Sequence, residues 1–547
     1  MMSEHEETDR KYDVDDDVPW VDLSSLPDVS AVEPTREYAF AATYYDTDRL
    51  ALAHAGITLR RSAGGSDAGW HVRRPRGGGG DRIELGEPLG GEARPDPDAV
   101  PEALLDWVRA WIRDREVGPV ATVQTRRTGY RLIGESGVVL VHANDDAVTA
   151  RAWGADGRPA VSHWRGWEID SVDGPSGVIE AAGKLMTKAG AAPPQFSGEL
   201  ERALGSRVDR PPTFPALDGH SRAADVLRAH LADQTAAMLA WDGAARHDEP
   251  DGVHKMRVAT RRLRSAPATF RPLVDRGVTD PIRDELKWIA AVLGGARDAE
   301  VLRERLLAEL STEPDDLVLG PISTLIEAEL RAAHRAAHDR LVAGLISPRY
   351  YRLLDRLDAL VADPPFTPLA DGPADTVVTK LVRASFKRLR RLVKAEAPEA
   401  ATERERDHRY HEIRKAAKRL RYAVEAVEPA FGAGAHRLAT AAENIQEVLG
   451  EHQRQRRRPP GAAGTRRPDS PGRRERLHHR TAARAGADAG RRLGGRVRVG
   501  LGRRVGQATP AVADRLNGRR ERPRLEPGRS AGAGRCGPSG RRVQVSS

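Results

Sequence analysis

An internal repeat in the second half of the chain limits what it can fold into more than any other feature. The run His254-Lys255-Met256-Arg257-Val258-Ala259-Thr260-Arg261-Arg262-Leu263-Arg264 returns as His411-Glu412-Ile413-Arg414-Lys415-Ala416-Ala417-Lys418-Arg419-Leu420-Arg421. Val292-Leu293-Gly294 then returns as Val448-Leu449-Gly450. Two copies of one unit, with Leu, Ala, Arg and Glu at helical period, specify a helical bundle over residues 221–453. Within each copy the cations fall on one stripe: His254, Arg257, Arg261 and Arg264, then His411, Arg414, Lys418 and Arg421, with Lys415 beside them. Like charges on one helix face cost a few tenths of a kcal/mol per pair unless an anion or an acidic partner offsets them. Internal carboxylates would satisfy either stripe alone, whereas recurrence in both copies favours an external anion. Pro267 falls inside the helix that continues from Arg264, where it predicts a kink or a break.

Residues 1–205 read differently. Short segments such as Ile57–Arg61, Trp70–Arg74, Val120–Thr125, Tyr130–Ile133 and Val138–Ala143 are punctuated by glycine clusters, and Pro101–Asp114 and Gly177–Ala189 read as helices. This pattern predicts an antiparallel sheet or barrel, joined by a linker at 206–220 to the helical half, so that the chain is α+β with two domains. Charges alternate at strand period. Glu7, Asp9 and Lys11 share one face, as do His71 and Arg73, Arg82 and Glu84, and Glu168 and Asp170; Arg60 and Arg127 also lie in strands. Cross-strand ion pairs on a solvated face are the plain explanation of any one pair. In a closed barrel the same set would bring cations and carboxylates together, which suits a phosphorylated substrate held with a divalent metal.

Charge needs to be counted by region. The whole chain has 88 basic and 79 acidic residues. From Arg454 to Ser547, however, there are 26 Arg and 6 acidic residues, a local charge of +20, leaving −11 on the remainder. The basic total therefore gives no reason to expect nucleic-acid binding by the folded part. The segment 454–547 has no Phe, Tyr, Trp, Ile, Met or Lys and cannot bury a core. The second repeat breaks where it begins: Leu293-Gly294 leads through Arg297-Asp298 into a helix expected at Ala299–Leu310, while Leu449-Gly450 leads to Arg454. A disordered tail is expected, with out-of-frame translation as its origin; a genuine Arg-rich arm would bind nucleic acid or other polyanions non-specifically. A single Cys, an acidic N-terminus and the lack of a long apolar run point to the cytoplasm, with no membrane span.

Read together, the motifs of residues 1–205 resemble the CYTH domain of the triphosphate tunnel metalloenzymes. They are Glu7-x-Asp9-x-Lys11, Tyr45-Asp46-Thr47, Leu59-Arg60, Trp70-His71-Val72-Arg73, Arg127-x-x-Tyr130-x-Leu132 and Trp167-Glu168-Ile169-Asp170. The resemblance implies a tunnel in which Lys11, Arg60, Arg73 and Arg127 bind phosphates. By the same resemblance Glu7, Asp9, Glu168 and Asp170 hold Mg²⁺ or Mn²⁺ for hydrolysis of an inorganic or organic triphosphate. Ser62, Gly166 and Glu199 depart from the family pattern, Glu199 by replacing a phosphate-facing Lys. The helical repeat resembles the CHAD domain, which implies two four-helix bundles around a basic channel and binding of inorganic polyphosphate. The stripe residues His254, Arg257, Arg261, Arg264, His411, Arg414, Lys415, Lys418 and Arg421 would carry that binding, joined by Lys387, Arg388, Arg390 and Arg391. Association with polyphosphate granules follows from the same resemblance. The alternative is a non-catalytic polyphosphate-binding protein with a degraded tunnel.

Overall fold

The computed structural model describes residues 9–64, 67–75, 82–88, 99–154, 158–208, 215–311, 322–395 and 402–456. Glu7, part of the linker and the tail from residue 457 on lie outside the described residues, as do the expectations attached to them. The first half contains β1 (Asp9–Val14), β2 (Val29–Pro34), β3 (Tyr38–Asp46), α1 (Ala51–His54), β4 (Thr58–Ala63), β5 (Gly69–Pro75), β6 (Arg82–Pro88) and α2 (Glu102–Ile112). It continues with β7 (Gly118–Gly134), β8 (Val139–Trp153), β9 (Pro159–Ser171), α3 (Ser176–Ala189) and α4 (Glu199–Leu204). All strand pairs are antiparallel in one nine-stranded sheet of order β1-β9-β8-β7-β3-β4-β5-β6, with β2 added on β7. The ends of the ladder are β1 and β6, and no pairing among the described residues joins them.

Sequence punctuation divides residues 120–133 into two strands, but β7 runs unbroken from Gly118 to Gly134. Its middle, Arg126 to Gly129, lacks apolar alternation because Arg127 faces a charged neighbour, Asp146, across the ladder. Register then carries one face across the whole sheet, since directly opposed residues point the same way. Lys11 opposes Glu168, Glu168 opposes Asn144, and Arg127 opposes both Asp146 and Tyr38. Tyr44 opposes Arg60, Arg60 opposes His71, and Arg73 opposes Glu84. The reverse face is apolar. Val178, Ile179, Ala182 and Met186 of α3 cover Trp167, Ile169 and Leu132 at one end. Leu104, Val108 and Ile112 of α2 cover Leu59, Trp70 and Val72 at the other.

The second half is helical: α5 (Ala223–Ala240), α6 (Asp242–Arg246), α7 (Gly252–Thr269), α8 (Arg276–Leu310), α9 (Ile322–Leu345), α10 (Pro348–Ala362), α11 (Ala374–Lys394), α12 (Glu403–Glu425) and α13 (Glu428–Arg456). The sequence repeat maps α7 on α12 and α8 on α13, and chain order sets α5 and α11 in the same place before each copy. The helix starts of α5 and α11 meet reciprocally, Ala223 N–H donating to Gly372 O and Ala374 N–H to Ser221 O, each at 2.9 Å. An exchange between equivalent positions is the mark of an approximate two-fold axis. Two expectations are corrected. Residues 299–310 are not a separate helix but the end of the 35-residue α8, which passes through Gly294-Gly295 without a break. Pro267 does not break α7: the helix ends two residues later at Thr269, so only the bond its N–H would have made to the Leu263 carbonyl is lost and no long segment follows to be kinked. The bend comes instead in α13 at Gly432, whose φ of 55° suits glycine.

A seam joins the halves through α2. Trp107 stacks on His247 at 4.4 Å between ring centroids and lies against Gly243, where a Cβ would come within 2.7 Å of it. Arg74, 2% exposed, donates to Ala240 O at 2.7 Å beneath the same indole. Arg113, at the end of α2, is salt-bridged to Asp355 and Asp358 of α10.

Candidate functional site

The sheet face gathers most of the charges predicted for the first half into two groups. In one, Glu168 lies between two cations: Lys11 Nζ is 2.7 Å from its Oε1, and Arg127 bonds to its Oε2. Arg127 also makes two bonds to Asp146, 2.8 Å from Nε and 2.6 Å from Nη2. Asn144 donates to Asp170 at 3.2 Å. Burial alone would raise the Glu168 carboxyl, but Lys11 and Arg127 outweigh it and hold the carboxyl below its usual range. Asp146 is raised, chiefly by burial, despite its bonds to Arg127. Asp9 is opposite Asp170 in the ladder.

In the second group Arg60 Nη2 bridges Asp67 at 2.7 Å and Glu84 at 3.1 Å, with His71 between the same two carboxylates. Asp67, His71 and Glu84 are the one trio of His, Asp or Glu side chains among the described residues whose ligand atoms lie within 4.8 Å of one another. Arg73 is exposed on this face beside Glu84. Between the two groups sits α4. Its Leu200 and Leu204 cover Ala42, Val123, Val148 and Ala150, so the middle of the face is apolar. At its start Glu199 accepts a 3.0 Å bond from the Tyr44 hydroxyl, which burial and then Glu199 push up from its ordinary value. Glu199 also adds to the charge felt by Arg60.

The helical half brings the two repeat stripes together, because α7 packs on α12. The Arg261 guanidinium lies 5.7 Å from the Tyr422 ring. Equivalent arginines treat equivalent glycines alike: Arg257 lies over Gly294 and Arg414 over Gly450, where a Cβ would stand 3.8 Å and 3.1 Å from the respective guanidinium nitrogens. Part of the stripe is paired within the protein. Arg257 reaches Asp298 at 3.6 Å, Lys415 reaches Glu412 at 2.8 Å, and Arg421 is shared by Glu425 and Glu443. Arg261, Arg264 and Lys418 have no carboxylate partner among the described residues. Burial, then Arg261, Arg414 and Arg257, push the Lys418 amine down to about 8. Arg264 is lowered by burial and then by Arg261 and Arg283. His254 is exposed in the first turn of α7, whereas His411 is exposed within α12, eight residues after its start; burial followed by Arg297 lowers His254. Lys387, Arg388, Arg390 and Arg391 are exposed on α11.

Sequence reading missed Asp146, Asp67, Asn144 and Tyr44. The strand expected at Val138–Ala143 stops short of Asp145-Asp146, yet both lie in β8 and point to opposite faces, one to Arg165 at 2.7 Å and the other to Arg127. The period-two rule applied to Asn144 and Asp146 would have found both.

The family profile described as the CHAD domain matches residues 229–456. Uncharacterized proteins of Mycobacterium tuberculosis strains CDC 1551 / Oshkosh and H37Rv are each 36% identical over 462 residues, an alignment spanning 82% of this chain and 86% of theirs. The chain belongs to the CHAD domain family. Among solved structures, the CHAD domain from the plant Ricinus communis is 25% identical with a TM-score of 0.36, covering 56% of this chain and 96% of that one. PptA from Streptomyces chartreusis is 21% identical with a TM-score of 0.34, covering 54% and 99%. No helix among the described residues of this CHAD protein is long and apolar enough to cross a membrane.

Proposed function

We propose that the sheet domain hydrolyses triphosphate-type substrates with a divalent metal and that the CHAD domain captures inorganic polyphosphate. The observation that carries the first part is Glu168 held between Lys11 and Arg127. In this resting arrangement Glu168 and Asp146 are neutralised by cations that phosphate would claim. A triphosphate would take over Lys11, Arg127, Arg60 and Arg73 through its phosphoryl oxygens, and the carboxylates so released would hold the divalent metal. The donor type suits Mg²⁺ or Mn²⁺, since Asp146, Glu168 and Asp170 offer hard oxygens on one face; these do not all lie within 4.8 Å of one another and would have to draw together around an ion, with Asp9, and Glu7 outside the described residues, as further ligands. When bound, such an ion neutralises developing charge on the phosphoryl group and acidifies water. The cations hold the chain of phosphates in line, and α4 keeps water from the middle of the face.

The second part rests on Arg261, Arg264 and Lys418, cations that the described protein leaves without acidic partners and whose cost an external polyanion would offset. Capture of this kind would tether the protein to polyphosphate granules in the cytoplasm. Glu199 favours a second reading. A carboxylate beside Arg60 repels a terminal phosphate, and a face disabled in this way would leave a binding protein only.

Phosphate release from inorganic triphosphate by the full chain, with and without Mg²⁺ or Mn²⁺, decides between them. Metal-dependent release that falls by about a hundredfold or more in Lys11→Ala is expected, the scale of losing one donor to transition-state charge. No release from folded protein that still binds polyphosphate would leave the second reading.

A further inference from the structure

Lys418 differs from Lys415, the other lysine of the stripe. Arg414, Lys418 and Tyr422 follow at one-turn spacing on α12, and Arg257 and Arg261 do so on α7, so the packed pair places the amine among three guanidinium groups. It is half-buried and has no carboxylate partner among the described residues. Lys415, three residues earlier on the same helix, is exposed and paired with Glu412 at 2.8 Å. An ammonium ion flanked by cations and partly desolvated loses its proton readily, and a neutral amine is a nucleophile. The same guanidinium groups form a cradle for a phosphate.

From this geometry we infer that Lys418 is an acylation site for small acyl phosphates, which dock by their phosphate on Arg257, Arg261 and Arg414. The proposal rests on the reading of this cluster as a phosphate-binding site. In the step itself the neutral Lys418 nitrogen attacks the acyl carbonyl carbon and the carbon–oxygen bond to phosphate breaks. Inorganic phosphate leaves on the guanidinium groups, and the proton released from nitrogen goes to water. No oxidant or reductant is required. The product amide carries no charge, so acylation removes one of the unpaired cations and weakens polyanion binding at this site.

The test treats the full chain with acetyl phosphate at pH 7.5 and follows each lysine by peptide mass spectrometry. Lys418 is expected to acetylate at least tenfold faster than Lys415. Excess inorganic tripolyphosphate should slow it at least fivefold and leave Lys415 unchanged, and Arg261→Gln should remove most of the preference. A Lys418 rate no greater than that of Lys415, or one indifferent to tripolyphosphate, overturns the proposal. Calorimetry of tripolyphosphate binding to the untreated chain separates the two ideas. Binding without preferential acetylation refutes the acylation site and keeps the phosphate-binding reading. Absence of binding refutes that reading and, with it, delivery of the acyl group by its phosphate.

Discussion

At Lys418 an amine whose ordinary value is 10.5 is brought to about 8, by burial first and then by Arg261, Arg414 and Arg257. The folded value lies below the unfolded one, so folding disfavours the proton. The resulting handicap is complete below pH 8 and fades as the pH rises toward 10.5. Lys418→Met should therefore raise the melting temperature at pH 7 and lose that advantage near pH 10.5, as thermal melts across this range would show. An anion reverses the shift. Tripolyphosphate binding should take up protons near pH 8 and weaken above it in wild type but not in Lys418→Arg, as calorimetry in buffers of different ionisation enthalpy would show. The stripes were legible because helical spacing and repetition both mark them. Which members stay unpaired was not, because the acids that settle the matter, Asp298, Glu425 and Glu443, lie on other turns or other helices.

Among the elements, α4 has an influence out of proportion to its six residues. It buries Leu200 and Leu204 on the sheet and sets a carboxylate over Tyr44 and Arg60. Glu199→Lys should strengthen triphosphate binding by roughly 1.5–3 kcal/mol if the charge-assisted bond forms, read as a tenfold or greater fall in Kd for tripolyphosphate in a chain also carrying Arg261→Glu and Lys418→Glu. Unchanged affinity would show that α4, not the sign of its charge, sets access. Sequence spacing showed strands of the sheet and the departure at Glu199, and it predicted the shared face of Glu168 and Asp170. It did not show that β7 spans both of its predicted segments. A strand whose middle sets Arg127 against Asp146 and, on the same face, Gly129 beneath Thr35 carries no apolar alternation to read.

At the scale of the whole molecule, the seam makes the sheet and the bundle interdependent. Trp107→Ala removes the indole shared by Arg74, Gly243 and His247 and should cost about 3 kcal/mol, splitting one unfolding transition into two by calorimetry. Arg74, pushed down to about 10 chiefly by burial, would be left with less cover. None of this was legible in the sequence, because Arg74, Trp107 and Arg113 read as ordinary residues of a strand and a helix until the second domain meets them. The reciprocal contact at the starts of α5 and α11 has a different consequence. A linear phosphate chain has no head or tail, so it reads the same in both directions. Related cations around an approximate two-fold axis therefore meet equivalent phosphates on either side of the chain's midpoint, so one bound geometry serves both copies of the repeat alike. A nucleic-acid strand has direction, so its two ends present different groups to equivalent cations and the strand cannot itself obey the axis.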